Sequence, residues 1–326
     1  MPASQRVKEL DGLRALSFLS VFQMHLPWNG GGAWFGYAVD VFFVLSAYLL
    51  GSRLLAEREA TGTIDVRSFY KRRILRIWPL YYIVLAVAWV VSGPADRHLI
   101  PAFAGFFGNF LVGAQGHWPA PILVPLWSLC VEEQFYAAVP WLVRSRRTLR
   151  IAAWTIIVSS ALLRIPFFYA DVLGVGDLSW CAVFRFDALG IGLLLATEPK
   201  LPRFSTPIRW VVLAAGVYLI VYGSQCGVRL MSVIAMGAGV IVLAALSGPD
   251  VVLGHPVLTW LGERSYGLYI LHAIALVFFN WQAMPALVVT VAAAAFSYRF
   301  LELPCIAYSR SRSSTISYSP SFGRFW

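Results

Sequence analysis

The chain has 326 residues, of which 59% are hydrophobic and only 13% charged, with 22 Phe and 13 Trp; its mean hydropathy is +0.70. That apolar share excludes an ordinary soluble domain and marks a polytopic membrane protein. The net charge of +10 comes largely from arginines gathered in short hydrophilic gaps, with Lys8, Lys71 and Lys200 the only lysines, a distribution that fits cytoplasmic loops and argues against a nucleic-acid groove.

Taken in chain order, apolar runs of the length that crosses lipid, about 17 to 25 residues, fall near 10–28, 36–55, 77–93, 126–143, 150–170, 180–197, 207–223, 228–247, 260–281 and 284–302. The first carries charges and no small-residue cleavage motif, so it reads as a retained helix rather than a signal peptide. An eleventh stretch at 99–114 is short and holds Pro101, Asn109 and several Gly. Lys and Arg collect on the cytoplasmic side, and the two most basic gaps are Arg53 to Arg76 and Arg144 to Arg150. With both cytoplasmic, an even number of crossings lies between them, and 99–114 becomes a re-entrant or interfacial segment. The expected fold is therefore all-α, with about ten transmembrane helices and both termini cytoplasmic. Residues 1–305 form one membrane domain. The Ser-rich segment 306–326 reads as a flexible cytoplasmic tail.

Within these spans the polar residues are few and their spacing is informative. Arg14 and His25 are eleven residues apart in the first helix, which places them about 20° apart around the axis and ~16 Å apart along it. Ionisable groups inside spans usually face a protein interior or a water-filled cavity, so a cavity passing both is expected. In "PLWSLCVEEQFYAAVP", Ser128, Glu132 and Tyr136 are spaced by four and share a face that Glu133 does not. Asp40 opens the second span on the same side as His25, where it either accepts a hydrogen bond from the imidazole or serves as a helix N-terminal charge. Arg185 and Asp187 are too close in sequence to share a helix face, so each is expected to pair elsewhere. Tyr266, Tyr269 and His272 form a polar stripe, open to either aromatic-belt or substrate roles. The four cysteines lie singly, with neither a disulfide framework nor metal-ligand spacing, and no metal is expected.

The blocks "LDGLRALSFLSVFQMH", "VDVFFVLSAYLL", "SFYKRRILRIWPLYY", "PLWSLCVEEQFY", "RFDALGIGLLLA", "LGERSYGLYILH" and "SYRFLELP", in this order from Leu10 to Pro304, resemble the bacterial acyltransferase type 3 family. The resemblance implies a ten-helix enzyme of the cytoplasmic (inner) membrane that O-acylates sugars, glycans, lipids or secondary metabolites, commonly from acetyl-CoA. It matches the family's first-helix arginine and histidine to Arg14 and His25, its arginine pair to Arg73 and Arg76, and its acidic residue to Glu132. Ala15 and Ala47 stand where glycine is usual, and Cys130 where serine is frequent.

Moving an acyl group from a thioester to a hydroxyl needs a base for the incoming oxygen and a group that stabilises the tetrahedral oxyanion. His25 is the expected base, with Arg14, Glu132 and Asp40 as its catalytic companions. Arg73 and Arg76, with Arg14, are expected to hold the phosphates and arm of acyl-CoA, a co-substrate rather than a tightly bound cofactor. Trp34, Tyr269 and His272, beside Trp28 and Tyr37, are candidate contacts for a carbohydrate or glycosylated acceptor. Direct transfer is favoured over an acyl-enzyme on Cys130. Two other classes carry the same intramembrane charges: a transporter or flippase, for which no inverted repeat is visible, and a sensor switched by His25.

Overall fold

The computed structural model describes residues 7–27, 33–115, 119–172, 184–225 and 230–311, and every regular element among them is helical. Helix α1 (Lys8–Met24) is followed by a 3₁₀ turn (Ala33–Tyr37), then α2 (Ala38–Thr61) and α3 (Val66–Val91). Three short helices follow, α4 (Pro94–Arg97), α5 (Ile100–Ala104) and α6 (Gly108–Gln115), then α7 (Leu126–Leu142) and α8 (Arg146–Val172). The remainder comprises α9 (Phe186–Ala196), α10 (Thr206–Ser224), α11 (Met231–Leu246), α12 (Pro256–Glu263), α13 (Ser265–Phe278), α14 (Ala283–Ser297), a π turn (Tyr298–Glu302) and α15 (Leu303–Ser311).

Five segments are long and apolar enough to cross a membrane: Trp34–Thr61, Val66–Val91, Arg146–Ile165, Thr206–Ser224 and Ala283–Ser309. Helices α9, α11 and α13 are apolar but shorter. Large apolar side chains such as Trp89, Trp141, Trp154, Val211, Phe278 and Phe296 lie exposed on the outside, as lipid-facing positions do and soluble surfaces seldom do.

Two departures from the expected spans bear on the site. Helix α3 starts at Val66, eleven residues before position 77, because Asp65 caps it, accepting the Ser68 N–H at 2.9 Å. Arg73 and Arg76 are thus inside the helix rather than ahead of it. The run 260–281 is split into α12 and α13 at Arg264, whose guanidinium lies 3.9 Å from the Trp260 ring centroid and 4.7 Å from that of Tyr298. At the other extreme of the chain, α15 crosses position 305 and packs against α3, Lys71 lying over the Tyr308 ring.

The stretch 99–114 holds no single helix. Helices α5 and α6 meet at a turn where Phe106 takes φ 60°, a left-handed value uncommon for a bulky side chain. The turn is held from neighbouring helices: Tyr81 and Tyr82 donate to the Phe103 and Ala104 carbonyls, both at 2.8 Å, and Gln134 donates to that of Phe106 at 2.7 Å.

The basic gaps meet at one end of the bundle. Arg146 after α7 donates to Glu59 near the end of α2 at 2.9 Å, and Arg150 reaches Glu198 beyond α9 at 3.2 Å. At the opposite end of α2, Asp40 pairs with Arg185 at 2.8 Å, and Arg164 of α8 pairs with Asp187, both pairs almost fully buried. Arg185 and Asp187 therefore each find a partner on another helix. Close packing holds these elements together: a Cβ at Gly192 of α9 would lie 2.3 Å from the Val44 carbonyl oxygen of α2.

Candidate active site

Five elements converge on a cavity of about 680 Å³, its open mouth included, and each supplies a polar side chain. Arg14 comes from α1, Ser46 from α2, Arg73 and Arg76 from α3, and Ser128, Glu132 and Tyr136 from one face of α7. Tyr266 and Tyr269 of α13 complete the lining, with Val39, Phe42, Phe43, Ile77 and Leu129 as its apolar part.

Glu132 is held as an acceptor on both oxygens. Ser46 donates to Oε1 at 3.0 Å and Tyr136 to Oε2 at 2.6 Å. A carboxylate so engaged is fixed in place and offsets part of the charge of the three arginines. Glu133 turns the other way and accepts from Trp78 Nε1 at 3.2 Å. Arg14 lies 3.3 Å from Asp11 one turn earlier, and the Arg73 guanidinium packs 4.9 Å from the Tyr136 ring centroid. Ser128 donates to the Pro125 carbonyl at 3.1 Å, so in its 2.7 Å contact with Tyr269 the phenol is the donor. Arg73 and Arg76 also line a second, smaller space of about 300 Å³ together with Arg53 and Arg72. The two spaces share these two arginines, and four arginines line the smaller one.

His25 is not among the residues lining this cavity. Its Nδ1 bonds the Val21 carbonyl of its own helix at 2.8 Å, and its ring meets that of His272 edge-on with centroids 5.0 Å apart. His272 is fully buried and likewise lies off the cavity wall. Tyr269 links the two regions, since it lines the cavity and its ring centroid is 5.8 Å from that of His272 and 5.7 Å from that of Phe42. Arg14 and His25 are thus connected through an aromatic wall rather than along one open space.

Asp40 requires a correction. It is committed to Arg185, and the His25 tautomer is set by Val21, because a carboxylate at the start of α2 finds a guanidinium closer than an imidazole. Trp34 stacks on Phe35 with centroids 3.9 Å apart and does not reach the cavity; Tyr37 lies against Arg185. Trp28 falls outside the described residues. Cys130 is fully buried beside Tyr81, away from the cavity lining. Among the described residues no cluster of three or more His, Cys, Asp or Glu is placed to hold a metal. Sequence reasoning missed Ser46, Phe42, Arg53 and Arg72. The spacing Val39, Phe42, Ser46 marks one helical face, a signal hidden by the apolar character of the whole run.

Comparison with known proteins adds a second line of evidence. Residues 7–300 match the family described as an acyltransferase domain. The chain is 29% identical to a Bacillus subtilis (strain 168) protein named "Putative peptidoglycan O-acetyltransferase YrhL", over 90% of this chain and 54% of that protein. It is 27% identical to the peptidoglycan O-acetyltransferase OatA of Listeria monocytogenes, over 91% of this chain and 55% of that one. The chain thus spans about half the length of these relatives. No solved structure matches it.

Proposed function

Because this chain belongs to the acyltransferase type 3 family, we propose that it is a membrane O-acyltransferase that moves an acyl group, first of all acetyl, from cytoplasmic acyl-CoA to a glycan hydroxyl. The observation that carries the reading is a pair of neighbouring spaces that share Arg73 and Arg76 in their walls. The smaller space, lined by Arg53, Arg72, Arg73 and Arg76, suits nucleotide phosphates, which arginine forks bind bidentately. The larger cavity, with Arg14 and Glu132 on a partly apolar lining, suits the pantetheine arm and its thioester. The names of the relatives make a peptidoglycan hydroxyl the first acceptor to test.

In this mechanism the acyl arm extends from the arginine mouth past Phe42 and Tyr269 toward His25. With its Nδ1–H on Val21, His25 presents a lone pair at Nε2. That nitrogen takes the proton of the acceptor hydroxyl as its oxygen attacks the thioester carbonyl, while Arg14, ~16 Å back along the helix axis, guides the acyl-CoA arm. Collapse re-forms the carbonyl and breaks the C–S bond. The leaving thiolate then takes the proton from His25. The accompanying topology is ten crossings with both ends cytoplasmic, in an inner membrane. It is supported by the Arg146–Glu59 contact, which puts the two basic gaps on one end of the bundle.

The test is the purified full chain in lipid nanodiscs with labelled acetyl-CoA and a peptidoglycan fragment. Release of free CoA that depends on the acceptor, and its loss in His25→Ala, is the expected result. A transporter or sensor gives no such release, and that outcome overturns the reading.

A further inference from the structure

We propose that His272 is a positioning residue for His25, its unpaired Nε2 stabilising the positive charge that His25 acquires when it takes a proton. This rests on the acyl-transfer reading above. The two rings meet edge-on with centroids 5.0 Å apart. Each Nδ1 bonds a carbonyl of its own helix, Val21 for His25 at 2.8 Å and Tyr269 for His272 at 2.6 Å. A carbonyl only accepts, so both Nδ1 atoms carry hydrogen and both Nε2 atoms are lone pairs in the neutral state. His272 Nε2 is buried and has no hydrogen-bond partner among the described residues, a costly arrangement that calls for a reason.

The surroundings supply one. The other rings against His272 are Phe18, Phe22 and Tyr269, and Tyr269 has its hydroxyl on Ser128. Of the charged groups on neighbouring elements, Arg14 on α1 pairs with Asp11, Asp40 on α2 with Arg185, and Glu263 at the end of α12 with Arg264, while Arg73 and Arg76 of α3 line the cavity rather than this ring cluster. Helices α11 and α14 carry no titratable side chain. Among these ring neighbours only His25 can become positive. The His272 dipole is oriented by its Nδ1–H bond to the Tyr269 carbonyl, and its negative end is left without any other use. Two imidazoles in contact inside an apolar wall accommodate one positive charge and resist a second. When His25 takes the hydroxyl proton, His272 remains neutral. The same proton then passes from His25 to the thiolate, so His272 takes no net part in the proton balance.

Two measurements test this. In histidine-labelled protein in nanodiscs, nitrogen NMR is expected to find both rings neutral with hydrogen on Nδ1, and one proton taken up by the pair before any second. In His272→Phe, which keeps an aromatic ring without the lone pair, the proton affinity of His25 is expected to fall about tenfold, one pH unit. His272→Gln, with an amide oxygen in place of the nitrogen, is expected to restore most of it. Turnover per folded protein should fall roughly ten- to hundredfold in His272→Phe, the worth of one interaction with a charged group, at unchanged KM for acyl-CoA and acceptor. A proton on His272 Nε2 in the wild-type protein, or a His25 titration indifferent to His272→Phe, overturns the proposal, and the first readout needs no variant to fold. Absence of acyl transfer in a wild-type protein that shows the paired titration instead removes the acyl-transfer reading and, with it, the catalytic purpose assigned to His272.

Discussion

At Glu132 both carboxylate oxygens accept hydrogen bonds on a wall shared with Arg14 and Arg73, whereas Glu133 faces Trp78 outside that space. Glu132→Gln replaces one acceptor by a donor and leaves the arginines under-compensated, so turnover is expected to drop at least about tenfold. Glu133→Gln should change it by less than about threefold. Steady-state assays of the two variants side by side check this, and equal losses would contradict it. For the donor, Arg73→Ala is expected to raise the KM for acyl-CoA about tenfold while leaving the acceptor KM near its original value, with Arg73→Lys recovering part of the loss because it keeps charge but not the fork. Much of this site was legible in residue spacing. A period of four placed Ser128, Glu132 and Tyr136 on one face, and the structure has all three on one wall. The Arg14 and His25 spacing fixed their shared helix face but carried no information about Phe42 and Tyr269, which come from other helices. The partner of Asp40 was equally hidden, being 145 residues away.

Helix α1 sits where it does because two glycines let other backbones touch it. A Cβ on Gly12 would lie 1.9 Å from the Leu253 carbonyl oxygen, and one on Gly262 of α12 would lie 1.9 Å from that of Asp11. Gly262→Ala must therefore push α1 and α12 apart, at a cost of about 1–3 kcal/mol. A lower thermal midpoint is expected in a detergent melt. Because Asp11 pairs with Arg14, the apparent KM for acyl-CoA should rise as well. An unchanged melt would mean that the helices separate freely. The α5–α6 turn offers a separate check: Tyr81→Phe leaves the buried Phe103 carbonyl without its 2.8 Å donor and should cost about 1 kcal/mol. At this scale apolar length alone located most elements. It overlooked the start of α3, which a capping Asp decides, and the break at Arg264, which cation–ring contacts stabilise.

For the molecule as a whole, the contacts Arg146–Glu59 and Arg150–Glu198 gather three loops at one end. With Thr61→Cys and Arg147→Cys, both exposed positions, an impermeant maleimide is expected to leave intact cells unlabelled at both sites and to label both after permeabilisation. Labelling of one alone would break the shared end. The opposite end carries a different consequence, one for biogenesis. Asp40 is made 145 residues before the Arg185 that neutralises it, which at roughly 5–20 residues per second is about 7 to 29 s of translation. During that interval α2 bears an uncompensated carboxylate near its end, where the cost in lipid is below the roughly 2.5–3.5 kcal/mol that insertion scales give at a helix centre, so α2 gains from shelter at the insertion machinery until α9 emerges. Arg185→Leu should therefore lower the yield of protease-protected, inserted chains, and adding Asp40→Asn should recover part of that yield, because a neutral pair no longer has to wait for its partner.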